Sequence, residues 1–207
     1  MSLPAGASSY TQAITQPGNE GRSYRFRIRA INALGVGLTI SDEIRLVATD
    51  APGTPTIEVV ESARTLTSLT LGFGAPATDG GAPIIGYHLY RDQGIAGSPL
   101  SLIYNGTGAP EIISFEATGL ATALTYSFEL RAVNKIFSST SPATLDVIVG
   151  TLPAPPRLVR RVIIDAAAYV AGELTIEWDY PSETGGVDLT SYEVWVDDGQ
   201  GSWAAST

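Results

Sequence analysis

The 207-residue chain repeats itself, and the length of the repeat limits its fold more than any other feature. Ser68–Gly94, SLTLGFGAPATDGGAPIIGYHLYRDQG, aligns with Glu173–Gly199, ELTIEWDYPSETGGVDLTSYEVWVDDG, at a constant offset of 105. Phe73 then matches Trp178, Pro76 matches Pro181, Gly80-Gly81 match Gly185-Gly186, and Tyr87 matches Tyr192. YRFRIRAIN at Tyr24–Asn32 aligns with YSFELRAVN at Tyr126–Asn134, at an offset of 102. The proline-bearing joints DAPGTP (Asp50–Pro55) and TLPAPP (Thr151–Pro156) match at 101. A period just above 100 residues is domain-sized, so the repeats read as tandem domains rather than solenoid coils.

Within each repeat the apolar residues alternate with period two. In Tyr24-Arg25-Phe26-Arg27-Ile28-Arg29-Ala30 the apolar residues point one way and the arginines the other, as a half-buried strand requires. LTLGF (Leu69–Phe73), YHLY (Tyr87–Tyr90) and TLDVIV (Thr144–Val149) read the same way and are rich in β-branched and aromatic residues. IIDAAAYVAG (Ile163–Gly172) comes nearest to a helical stripe, and it is short. With 22 Gly and 13 Pro spread along the chain, the pattern predicts many short strands joined by turns. The fold class is all-β.

Composition removes several functions. The net charge is −9 and there is one lysine, Lys135, so the chain lacks the basic surface that nucleic acid requires. There is no cysteine, which excludes disulfides and thiolate chemistry and leaves the redox compartment open. No apolar run approaches the roughly 20 residues of a membrane span, so membrane insertion is not expected. The start, MSLPAGASS, has neither the charged nor the apolar region of a signal peptide. It reads as the beginning of a piece cut from a longer chain.

Taken together, these residues resemble fibronectin type III domains. The resemblance rests on an aromatic residue late in strand B followed by proline (Phe73 and Pro76, Trp178 and Pro181). It rests also on the Gly-Gly turn into a Tyr-x-hydrophobe strand C, and on Tyr-x-Phe-x-hydrophobe-x-Ala-x-Asn in strand F, at Tyr24 and Tyr126. Leu120, six residues before Tyr126, looks like the family's tyrosine corner, in which the phenol bonds back to backbone. Phe73 stands where Trp is usual, Gly18 stands where the first repeat's corner Leu is expected, and the third repeat has extra residues before strand B. The resemblance implies tandem immunoglobulin-like β-sandwiches. Tyr24, Phe73, Tyr87, Leu120, Tyr126, Trp178 and Tyr192 are the expected core residues.

Laid on that pattern the chain divides unevenly. Residues 1–50 supply strands E, F and G; residues 51–151 supply all seven strands; residues 152–207 supply A, B, C and C′. A half sandwich exposes the apolar face that its other half should cover and leaves strand edges unpaired. The two incomplete sets sum to one fold. The C-terminal half of one molecule is therefore expected to complete the N-terminal half of another, by head-to-tail contact that closes a ring or propagates a filament. Charge agrees: residues 1–50 carry +1 and residues 152–207 carry −6. Strand F of the family lies beside strand C, so Arg25, Arg27 and Arg29 are expected to meet Glu193 and Trp195.

Catalysis has little to work with. His88 is the only histidine, has no nucleophilic partner nearby in the repeat, and reads as an outward-facing strand residue. The counts exclude His or Cys metal clusters, and Asp197-Asp198 lack the ligand spacing of a dedicated calcium loop. The Gly-rich stretches do not join a strand to a helix, so no phosphate cradle and no cofactor is expected. Asn105-Gly106-Thr107 fits the N-glycosylation pattern but also fits a turn, which is the preferred reading. No Arg-Gly-Asp occurs, while Ile136 and Phe137 are apolar residues near a loop tip.

The expected function is therefore a non-enzymatic structural and protein-interaction module, a spacer or adhesion unit of a longer tandem array. The resemblance implies extracellular or cell-surface work; an intracellular cytoskeletal array is the rival within the same class. The alternative from another class is an accessory module of a secreted carbohydrate-active enzyme, with Tyr90, Trp195 and Trp203 contacting sugar.

Overall fold

The computed structural model describes residues 3–14, 20–162 and 174–205. The helix-like stretch 163–172 and the corner position Gly18 lie outside the described residues. Among the described residues, fifteen strands and one 3-10 turn, Glu61–Ala63, make up the regular structure.

The N-terminal segment holds β1 (Ser23–Phe26), β2 (Ile31–Asn32), β3 (Gly35–Val36) and β4 (Ile44–Val47). β1 pairs antiparallel with β4, Tyr24 opposite Leu46, and β2 pairs with β3 across a tight turn. The expected run of strand from Tyr24 to Ala30 stops at Phe26, and the described residues ahead of β1, 3–14 and 20–22, form no strand. A strand needs a ladder on its edges to satisfy its N–H and C=O groups. β1 has one on one side only.

The central segment has the full set: β5 (Thr56–Val59), β6 (Leu69–Gly74), β7 (Ile84–Arg91), β8 (Ser101–Asn105), β9 (Ser114–Ala117), β10 (Thr125–Asn134) and β11 (Ala143–Ile148). They form a three-stranded sheet, β5-β6-β9, and a four-stranded sheet, β11-β10-β7-β8. In family lettering these are A-B-E and G-F-C-C′, an immunoglobulin-like sandwich. β10 repeats the sequence of β1 but is paired on both sides, and it runs ten residues instead of four. Leu69, Leu71, Leu89, Phe128 and Leu130, on the inward positions of β6, β7 and β10, are almost completely buried. Each such side chain contributes roughly 1.5–3 kcal/mol of transfer free energy.

The C-terminal segment holds β12 (Arg157–Arg161), β13 (Ile176–Asp179), β14 (Trp195–Asp197) and β15 (Trp203–Ala205). β12 pairs with β13 through a register shift between Arg157 and Arg160, and β14 pairs with β15.

By compactness the chain divides into two units. One takes in the described residues of 1–58, 71–115 and 127–146, and the other those of 59–70, 116–126 and 147–205. Strands β5, β6, β9, β10 and β11 give residues to both. In the first unit Phe73 of β6 packs on Tyr87 of β7 (ring centroids 5.8 Å) and Tyr104 of β8 (6.3 Å), which ties one sheet to the other. Tyr104 continues to Phe115 of β9 at 5.0 Å. In the second unit the Tyr126 hydroxyl accepts from Ala121 N at 3.1 Å, beside buried Leu120. That is tyrosine-corner geometry.

Candidate interaction surfaces

The aromatic pair at the heart of the central sandwich is built a second time in the C-terminal segment. Trp178 and Tyr192 stand 105 residues after Phe73 and Tyr87 and pack at 5.2 Å, edge to face. The surroundings differ. Phe73 and Tyr87 are 6% and 3% exposed, whereas Trp178 is half-buried and Tyr192 is 40% exposed. Tyr24 is half-buried, and Ile28, past the end of β1, is 74% exposed.

Around these residues each terminal segment carries uncovered apolar side chains. On the N-terminal one Ile31, Val36, Ile44 and Leu46 are exposed; on the C-terminal one Leu158, Val159, Leu174, Tyr180 and Val196 are. Exposed apolar side chains, where they adjoin, mark interaction surfaces.

The charged residues read from the sequence are placed as follows. Arg27 pairs with Glu43 at 3.0 Å, and Arg25 reaches the same carboxylate at 3.8 Å. Arg29 is exposed beyond the end of β1, and Arg45 Nε donates to Ser23 Oγ at 2.8 Å. Glu193 is exposed just ahead of β14, whose first residue, Trp195, is 53% exposed. Within the chain Arg25 and Arg27 thus share Glu43. The pairing register of β14 and β15 sets Trp195 opposite Ala205 and Asp197 opposite Trp203. Trp195 and Trp203 are diagonal neighbours on one face of that hairpin, within reach of each other's side chains.

Two ionic features of the C-terminal segment have no counterpart in the sequence reading. Arg160 binds Glu177 Oε1 at 2.6 Å and Asp179 Oδ1 at 3.0 Å, and these bonds, Glu177 first, hold its pKa above the usual arginine value. Asp198 accepts from Gln200 N and Ser202 N, in that order of effect, which lowers its carboxyl pKa and closes the β14–β15 turn. Glu177 and Asp179, at i, i+2, share one face of β13, and only the β12–β13 register brings them to Arg160.

Elsewhere the chemistry is structural. Asn105 is exposed at the end of β8, and its side chain accepts from Thr107 N at 3.1 Å in a local turn. His88 is half-buried and its Nε2 lies 2.9 Å from Thr107 Oγ1. Among the described residues no group of three or more His, Asp or Glu is placed to hold a metal ion. No helix among them is long and apolar enough to cross a membrane.

Sequence comparison finds relatives over most of the chain. Fibronectin type-III domain-containing protein 3A of Homo sapiens is 27% identical over 178 residues, 85% of this chain and 14% of that protein. The chain is fibronectin type III-like. Exoglucanase B of Cellulomonas fimi is 26% identical over 183 residues, 84% of the chain and 16% of the relative. Cardiac-type myosin-binding protein C of Homo sapiens is 28% identical over 160 residues, 76% of the chain and 12% of the relative. No family model matches the chain. The fibronectin type III-like chain spans less than a fifth of the length of each of these relatives.

Proposed function

We propose that this fibronectin type III-like chain is a non-catalytic spacer and protein-interaction module of a tandem array. In it, segments 1–50 and 152–207 complete one sandwich between two copies of the chain. The observation that carries the reading is the Trp178–Tyr192 pair: its rings pack against each other as a sandwich core's do, yet Tyr192 is 40% exposed.

The central sandwich supplies a template for the missing contact. There, β10 runs beside β7 with Glu129 opposite Tyr90 and Arg131 opposite His88. Carried through the repeat offsets of 102 and 105, those positions become Arg27 opposite Trp195 and Arg29 opposite Glu193. Arg27 on the indole face is worth about 0.5–2 kcal/mol and an exposed Arg29–Glu193 pair up to about 1 kcal/mol. Such contacts set register and partner, while the covered apolar faces supply most of the affinity. The +1 and −6 charges of the two segments favour this encounter over the pairing of like segments. The extracellular placement belongs to the same proposal and rests on the resemblance.

Light scattering over a concentration series, on the intact chain and on residues 51–151, tests the reading. It expects a dimer or larger for the intact chain and a monomer for the trimmed one. A monomer throughout overturns it.

A second reading is favoured by one observation, the two exposed indoles Trp195 and Trp203 on one hairpin face. Such a face suits stacking on a sugar ring, as an accessory module of a carbohydrate-active enzyme would need. Polysaccharide pull-down with the parent and Trp195→Ala decides it: no retention, or retention indifferent to the change, removes this reading.

A further inference from the structure

The proline-bearing joints and the Gly-Gly turns are joined to each other in the same way at two places in the chain. At the joint before the central sandwich, Asp50 N donates to Gly80 O at 2.8 Å and Gly53 N donates to Thr78 O at 2.9 Å. At the joint before the C-terminal segment, Thr151 N donates to Gly185 O at 2.9 Å and Ala154 N donates to Glu183 O at 2.9 Å. The four residues of the second ladder are those of the first, displaced by 101 on the donor side and 105 on the acceptor side. The first joint lies wholly in one compact unit and the second wholly in the other, so neither depends on how the units are arranged.

The glycines are what make the ladders fit. Gly80 and Gly185 have φ of +73° and +78°, and a Cβ on either would lie 2.2 Å from Asp50 O or 1.9 Å from Thr151 O. The second glycine of each turn faces the segment before the joint. A Cβ on Gly81 would lie 2.1 Å from Gly21 N, and one on Gly186 would lie 2.2 Å from Thr122 Cγ2. Gly21 and Thr122 occupy corresponding places, just ahead of β1 and of β10. Each Gly-Gly turn is therefore wedged between the joint leading into its own segment and the last corner of the segment before. At the first joint a side chain locks the wedge. Buried Asn134, at the end of β10, donates from Nδ2 to Asp50 O (2.8 Å) and to Asp79 O (2.9 Å).

We infer that the Gly-Gly turn is a joint clamp, an interaction surface whose partner is the preceding sandwich-type segment, and that it holds successive segments at one fixed angle. Two backbone hydrogen bonds and a backbone-to-backbone approach leave the joint little room to bend, where proline-rich composition alone would only extend it. This goes beyond the spacer reading, because it gives the spacer a fixed geometry and stands whether or not the terminal segments are completed by another copy.

The chain has no cysteine, so Thr39→Cys and Gln93→Cys, both at exposed positions on either side of the first joint, accept a pair of spin labels. Pulsed dipolar spectroscopy on the full chain then reads the distance distribution. The parent gives one narrow peak, and Gly81→Ala broadens it about twofold or more, as for a joint released to ordinary interdomain freedom. Gly97→Ala is the control, because Gly97 has the same left-handed φ, +78°, but open space where its Cβ would go. It leaves the peak width unchanged. Amide exchange at Leu89 and Phe128 verifies that the central core is intact; if Gly81→Ala disturbs it, Asp50→Pro, which removes one rung donor, takes its place. A broad parent peak, no broadening on releasing the clamp, or equal broadening in Gly97→Ala overturns the inference.

Discussion

The central and C-terminal segments place the same two aromatic rings at the same spacing, and only one of the pairs is inside. Phe73–Tyr87 sits beneath two sheets; in Trp178–Tyr192 the first ring is on β13, the second lies ahead of β14, and Tyr192 is 40% exposed. The comparison separates what a strand pair determines from what a fold determines. Ring contact is local, set by strands B and C and the Gly-Gly turn between them. Burial comes from strands E, F and G, which the C-terminal segment does not carry in its described residues.

The largest test of that separation is truncation of each pair. Phe73→Ala should cost the central sandwich about 3–5 kcal/mol, the usual range for an aromatic core deletion. Trp178→Ala should cost less than about 1 kcal/mol in dilute chain, where the ring is only partly covered. Urea unfolding at low and high protein concentration reads both. If the copies complete each other, the cost of Trp178→Ala climbs toward that of Phe73→Ala as concentration rises. Equal costs for the two at every concentration would erase the distinction between the segments.

Next comes the asparagine that ends each F-type strand. Asn134 is 2% exposed and makes four hydrogen bonds: two donated to Asp50 O and Asp79 O, and two accepted from Ile136 N (3.0 Å) and Phe137 N (2.8 Å). Its removal takes away all four side-chain bonds of a buried amide, and Asn134→Ala should cost about 1–3 kcal/mol. Asn32, its match at offset 102, is exposed and accepts from Leu34 N at 2.9 Å, so Asn32→Ala should change stability by less than about 0.5 kcal/mol. Thermal melts of the two variants side by side measure the gap. A gap near zero would mean that the local turn bond, common to both, is all that matters.

These pairs also show how far sequence carries. Period-two alternation and the 105-residue offset were enough to place β6, β7, β10 and their inward leucines, because those signals are local and each strand has neighbours on both sides. They overstate β1: Arg27, Ile28 and Arg29 keep the alternation of a strand, but Ile28 N donates to the side-chain oxygen of Ser41 rather than to backbone, and the regular ladder stops at Phe26. The Arg-to-Glu43 pairing escaped notice for a related reason. Glu43 lies 16 residues from Arg27, and only the antiparallel return of β4 brings them together. The Gly-Gly turns were legible as family marks. That they wedge against the joints was not, because a close approach between backbones leaves no pattern beyond the absence of a side chain.

A smaller contrast lies at the tyrosine corner. Tyr126 accepts from Ala121 N and is 5% exposed, so Tyr126→Phe should cost about 0.5–1.5 kcal/mol, the net worth of one hydrogen bond. Tyr24, half-buried in the N-terminal segment, should tolerate phenylalanine within about 0.5 kcal/mol. If Tyr24→Phe proves as costly as Tyr126→Phe in chemical denaturation, the first repeat has a corner of its own.

The smallest effect is a pH dependence confined to the central sandwich. Burial raises the pKa of Tyr87, since its phenolate would lose hydration beneath the sheets. The folded state therefore keeps the Tyr87 proton at a pH where the unfolded chain, with an ordinary tyrosine pKa of about 10, has begun to release it. Above that point the folded state binds more protons than the unfolded one, and linkage makes stability fall as pH rises. Below about pH 10 the contribution is constant, because both states hold the proton. Tyr87→Phe removes the titrating group and keeps the ring against Phe73. Its urea midpoint should decline less than the parent's between about pH 9 and 11, with the other tyrosines common to both proteins cancelling in the difference. Parallel declines would mean that the Tyr87 hydroxyl reaches water in the folded sandwich, and that even the covered aromatic pair is less enclosed than its exposure of 3% implies.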